Sequence, residues 1–99
     1  MPVLTIDLQD GFKDDEVVIL IAGEENYHKA SLTTDYAIGL ADSIELRVPE
    51  GSVRLTVNIP TRKLVADKQL DVAADLFIGV SVAEKSILFR TSGERFEYF

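Results

Sequence analysis

Between Leu70 and Val82 every second residue is apolar: Leu70, Val72, Ala74, Leu76, Ile78, Val80 and Val82. Side chains change face with a period of two in a strand and 3.6 in a helix, so this run requires extended backbone with one face buried and one wet. The same period recurs at Ile44, Leu46 and Val48, and again at Val53, Leu55, Val57 and Ile59. A chain patterned in this way has to stack half-buried strands around a core. Its 99 residues allow one domain, 1–99, and a chain of that size buries roughly 60 to 70% of the surface its unfolded form exposes. Sequence reasoning therefore predicts a core of Val18, Leu20, Ile44, Leu46, Val48, Val53, Leu55, Val57, Ile78, Val80 and Val82.

The remaining segments extend the pattern. Leu4, Ile6 and Leu8 alternate with Thr5 and Asp7 and stop at the turn-forming pair Asp10-Gly11. Val17 to Ala22 is apolar at consecutive positions, as expected of a central strand covered on both faces. After a turn at Gly23 to Asn26 the chain returns through Tyr27 to Thr34 as a polar edge strand. Asp35 to Asp42, with Gly39, is expected to carry the chain from one sheet to the other. Ile44 to Val48, the turn Pro49-Glu50-Gly51-Ser52, and Val53 to Ile59 read as a hairpin. Residues 62–69 are ambiguous, because Ala66, Leu70, Ala73 and Phe77 could also line a helix face. A strand over 86–91 and an aromatic end, Phe96, Tyr98 and Phe99, complete the chain.

Turns every eight to twelve residues and seven or eight strands predict an all-β fold, an antiparallel two-sheet sandwich with Greek-key connections; a small closed barrel is the alternative. Val17 to Val57, with Thr33-Thr34-Asp35, Gly39 and Val48-Pro49-Glu50-Gly51 leading into Leu55-Thr56-Val57, resembles the transthyretin-like or carboxypeptidase-regulatory type of sandwich. That resemblance covers under half of the chain, and its Asp-to-Gly interval is four rather than three. It implies an Ig-like or transthyretin-like Greek-key sandwich used for structure or interaction rather than for one activity.

Charge and composition narrow the function classes. Seventeen acidic against ten basic residues give a net charge of −7, which repels a phosphate backbone and argues against nucleic acid. Cysteine is absent, so burial alone has to hold the fold. The start Met1-Pro2-Val3-Leu4-Thr5 has no signal-peptide pattern and no apolar run is long enough to span a bilayer, so a cytoplasmic chain without a membrane partner is expected.

Chemistry-bearing patterns are sparse. His28 is the sole histidine, which leaves no two-histidine metal site and no histidine-centred mechanism with a partner. The enzyme branch of transthyretin-like folds, the hydroxyisourate hydrolases, needs several histidines and a characteristic C-terminal tetrapeptide; this chain has neither. Asp7, Asp10, Asp14, Asp15 and Glu16 do not have the spacing of a calcium loop. No catalytic residue, cofactor or metal is expected.

Two function classes remain. The first is a protein-interaction or structural module whose partner is another protein or a second copy of the chain. The other is a small-ligand or carbohydrate-binding sandwich, for which Tyr27 and Tyr36 are the exposed-aromatic candidates, although the lack of Trp weighs against a sugar platform. The expected hairpin would set Arg47 directly opposite Arg54, a like-charge pair suited to an anionic partner group. If Ile78, Val80 and Val82 point inward, Phe77 and Leu88 point outward. Together with Phe96, Tyr98 and Phe99 they either form a self-association interface or are capped by the terminal aromatics.

Overall fold

In the computed structural model, which describes residues 1–98, the alternating runs become eight strands: β1 (Val3–Leu8), β2 (Asp15–Ile21), β3 (Glu24–Leu32), β4 (Asp42–Arg47), β5 (Gly51–Ile59), β6 (Leu64–Val72), β7 (Leu76–Val82) and β8 (Ile87–Ser92). They form two four-stranded sheets, β4-β1-β7-β8 and β3-β2-β5-β6. Leu4, Ile6, Leu8, Ile78 and Val80 from the first sheet meet Val17, Ile19, Leu55, Val57 and Ile59 from the second, all with no solvent exposure. No helix among the described residues is long and apolar enough to cross a membrane.

Several expectations need correction. The sandwich is not wholly antiparallel, because β1 and β7 pair in parallel, Ile6 beside Ile78. The expected hairpin between Ile44–Val48 and Val53–Ile59 does not form. β4 pairs with β1, Ile44 against Ile6 and Leu46 against Leu4, whereas β5 lies between β2 and β6 in the other sheet. Alternation shows that two runs share a core, but facing sheets satisfy it as well as paired strands do. The buried Val48 and its N–H, which donates to the Pro2 carbonyl, anchor the crossing, and Gly51 at φ 115° redirects the chain into β5.

The inward phase of β2 is Val17 and Ile19, so Val18 and Leu20 are half-buried on the outer face rather than in the core. A consecutive apolar run carries no phase, and register shifts on both sides of Val17–Ile19 reset it here. Ile44 and Leu46 face the core but are half-buried because β4 is an edge strand. The long alternation from Leu70 breaks at residues 73–75, where the chain changes sheet. The ambiguous 62–69 segment is the end of a single 3₁₀ turn, Pro60–Arg62, followed by β6; Lys63 in the left-handed region redirects the backbone between them.

That 3₁₀ turn places a clamp at one end of the sandwich. Arg62 Nε and Nη2 donate to the two oxygens of the buried Asp15 carboxylate at 3.0 and 2.9 Å, Nη2 also donates to the Gly11 carbonyl at 2.7 Å, and Nη1 to the Ala83 carbonyl at 3.2 Å. Three connections are tied together by one side chain. Burial pushes the Asp15 carboxyl up, but hydrogen bonds from Arg62, the Lys13 N–H and the Thr61 hydroxyl, with the Arg62 charge, outweigh it and hold the group below its ordinary 3.8. A carboxyl depressed in the folded state adds stability that is present above its unfolded pKa and is lost as pH falls through the folded one. Thermal melting from pH 7 down to pH 2 should therefore show a loss below about pH 4. In Arg62→Gln that acid loss should shrink, alongside a drop of about 3 kcal/mol at neutral pH from the uncompensated carboxylate. Parallel pH profiles for the two proteins would refute the clamp.

Candidate interaction surface

With Leu4, Ile6 and Leu8 turned inward, the other phase of β1 sets Thr5, Asp7 and then Gln9 on the outer face of the first sheet. Two rows cross that face: Glu45, Thr5, Phe77 and Ser92, then Ser43, Asp7, Gly79 and Arg90. An outer face with alternating polar residues is ordinarily wet, yet Thr5, Asp7 and Gln9 are buried, with Asp7 only 6% exposed. Their cover is the C-terminal segment 93–98, which leaves β8 and lies as a strap over its own sheet.

Beyond the Glu94 N–H, which donates to the Ser92 hydroxyl at 3.0 Å, side chains hold the strap to the sheet. The Tyr98 hydroxyl donates to Asp7 Oδ2 at 2.5 Å and accepts from Gln9 Nε2 at 2.9 Å. Ser43 donates to the other Asp7 oxygen at 2.5 Å, so the carboxylate is satisfied on both sides. Burial, then the bond to Asp7, pushes the Tyr98 phenol up to about 12, which keeps it a proton donor at neutral pH. The Arg90 guanidinium carbon stands 4.5 Å from the Phe96 ring centre and that of Arg95 5.5 Å from the Phe77 ring centre, both within cation–π reach. Arg95 also approaches Glu45 at 3.4 Å, an exposed pair that contributes little. Gly79 supplies the room: a Cβ there would come within 2.5 Å of the Gln9 side chain that reaches over it.

The sequence-derived site residues fall into three groups. Phe77, Phe96 and Tyr98 come together on this face, half-buried in the strap contacts, while Leu88, opposite Ser81 on the same face, is 55% exposed. Phe99 lies outside the described residues. Arg47 and Arg54 are not opposite each other: Arg47 pairs with Val3 on the outer face of the first sheet and Arg54 with Gln69 on the outer face of the second, so the expected two-arginine anion site does not exist. Of the tyrosines, Tyr27 is half-buried, its hydroxyl donating at 2.7 Å to Asp42 across the gap between β3 and β4. Burial and that bond push its phenol far above the ordinary range. Tyr36 is 71% exposed and borders a cavity of about 340 Å³ with Gln9, Asp10, Arg90 and Tyr98.

The acidic residues are dispersed among different partners. Asp15 binds Arg62, Asp14 accepts from Ser31, and Glu16 pairs with His28 at 2.8 Å on the surface. Among the described residues no three His, Asp or Glu side chains group as a metal site. Sequence reasoning missed Asp7, Gln9 and Arg90, the residues that receive the strap. Their signal is faint: polar positions on the outward phase of strands, matched to aromatics two apart at the chain end. No protein family matches this chain, and neither does any curated protein or solved structure at a significant level.

Proposed function

We propose that the chain is a non-catalytic protein-interaction module that associates with a second copy of itself through the strap-bearing face of its first sheet. The observation that carries this reading is Leu88, a large aliphatic side chain more than half exposed on the face that also holds Phe77, Phe96 and Tyr98. A two-fold contact is the commonest way for a soluble chain to cover such a surface. The outer face of the second sheet also exposes an aliphatic side chain, Val65 at 67%, but its rows, Val18-Asn58-Val65 and Leu20-Thr56-Asp67, bring no Phe or Tyr ring beside it. On this reading the sandwich is a Greek-key fold of the transthyretin-like type. Its support is connectivity: the chain changes sheet between β1 and β2, β3 and β4, β4 and β5, and β6 and β7.

Leu88→Asp tests the interface without disturbing the core. Its melting temperature should stay near that of the parent, because most of the side chain is already in water, while self-association measured by light scattering should weaken at least about tenfold, or ~1.4 kcal/mol. Equal mass distributions for parent and variant at every concentration would overturn the reading. A second reading, a small-ligand site, is favoured by the cavity beside the exposed Tyr36, whose volume lies in the range of about 300 to 1,000 Å³ common for ligand clefts. Saccharide-induced shifts of the backbone amide resonances of Asp10, Ala37 and Gly39, which line that cavity, abolished in Tyr36→Ala, would decide for it.

A further inference from the structure

We infer that the strap is exchangeable: residues 93–98 of one copy dock on the outer face of a second copy, in the place of that copy's own strap. The inference rests on the self-association reading and names the segment that carries it. The first support is how the strap is held. Among the described residues no backbone-to-backbone hydrogen bond joins 94–98 to the sheet; the Glu94 N–H turns back to the Ser92 hydroxyl at the end of β8, and the docking contacts are Tyr98 on Asp7 and Gln9, Arg90 on Phe96, and Arg95 on Phe77 and Glu45. Contacts of this kind re-form unchanged with a face on another chain.

The second support is the hinge. Gly93, with open space where a Cβ would stand, joins the strap to β8, and backbone freedom at glycine lets the segment swing out without strain. β8 is the edge of its sheet, so the hinge sits at the border of the molecule, and a strap of residues 93–98 reaches about 20 Å when extended. The third support is the receiving face. Asp7, Gln9 and Gly79 make a built recess for a tyrosine hydroxyl, with Arg90 placed for an aromatic ring two residues before it. The Phe96-Glu97-Tyr98 pattern is thus the ligand this face recognises, and a second copy supplies it. Exchange of identical segments between identical chains is a low-cost route to a dimer, and bringing two bodies together beside β8 covers Leu88.

Complementation between two full-length variants tests the exchange. Tyr98→Ala has an intact face and a defective strap; Asp7→Asn has an intact strap and a defective face. Neither should self-associate as the parent does, whereas their equimolar mixture should contain a two-chain species, seen by light scattering, because one strap and one face remain matched. If Asp7→Asn fails to fold by circular dichroism, Arg90→Glu, on an exposed residue, replaces it with the same expectation. A parent that self-associates while both mixtures stay at the mass of one chain would overturn the exchange and leave the self-association reading standing. A parent that never exceeds one chain would overturn both.

Discussion

Gly11→Ala is expected to abolish cooperative folding or to lower the melting temperature by more than any other single methyl addition in the chain. Gly11 sits in the link between β1 and β2 at φ 91°, and a Cβ there would stand 1.8 Å from the main-chain carbonyl oxygen of Val82. Main chain cannot move aside as a side-chain tip can. The neighbouring bonds leave little freedom, since the Val82 N–H donates to the Asp10 carbonyl at 2.9 Å and Arg62 holds the Gly11 carbonyl at 2.7 Å. Gly51→Ala is the control for conformation alone: φ is 115° but the space is open, so only the backbone cost of about 1 to 3 kcal/mol applies, at roughly 4 to 8 °C per kcal/mol. Melting temperatures of the two variants within a few degrees of each other would show that the close approach at Gly11 is not real.

Leu55→Ala carries the next largest effect. Leu55 is wholly buried at the middle of β5, between Ile21 of β2 and Lys68 of β6. Truncation of such a leucine costs about 2 to 5 kcal/mol, because the lost transfer energy is joined by the cavity left behind. A small domain has about 5 to 15 kcal/mol to lose. The expected fall in melting temperature is therefore at least about 10 °C. Leu20→Ala is the informative comparison: half-buried on the outer face of β2, it should cost no more than about a third as much. If Leu20→Ala proves as damaging as Leu55→Ala, the inward phase of β2 is Val18 and Leu20 after all, and the register of the second sheet described above is wrong.

How much of this was legible in the sequence depended on what alternation can encode. β1, β5 and β7 were readable because each has one buried face, and a period of two states which residues are inside. The same signal was silent on pairing. Ile44-Leu46 and Val53-Leu55-Val57 read as two arms of a hairpin around Pro49 and Gly51, but β4 pairs with the distant β1, and β5 with the distant β2 as well as with β6, the next strand in the chain; sequence proximity reveals only the last of these. Val17 to Ile21 could not declare its phase, since every position is apolar. The strap was half visible: Phe77 outward and aromatics at the end of the chain suggested a cover, and the structure supplies one. Asp7 and Gln9 were not visible, because a polar residue on an outward phase is wet unless something is known to lie over it.

Sedimentation velocity of the unmodified protein, from low to high micromolar, addresses the self-association claim with the fewest assumptions. The weight-average mass should start at that of one chain and climb toward two as concentration rises, reversibly on dilution. One-chain mass at every concentration would contradict it.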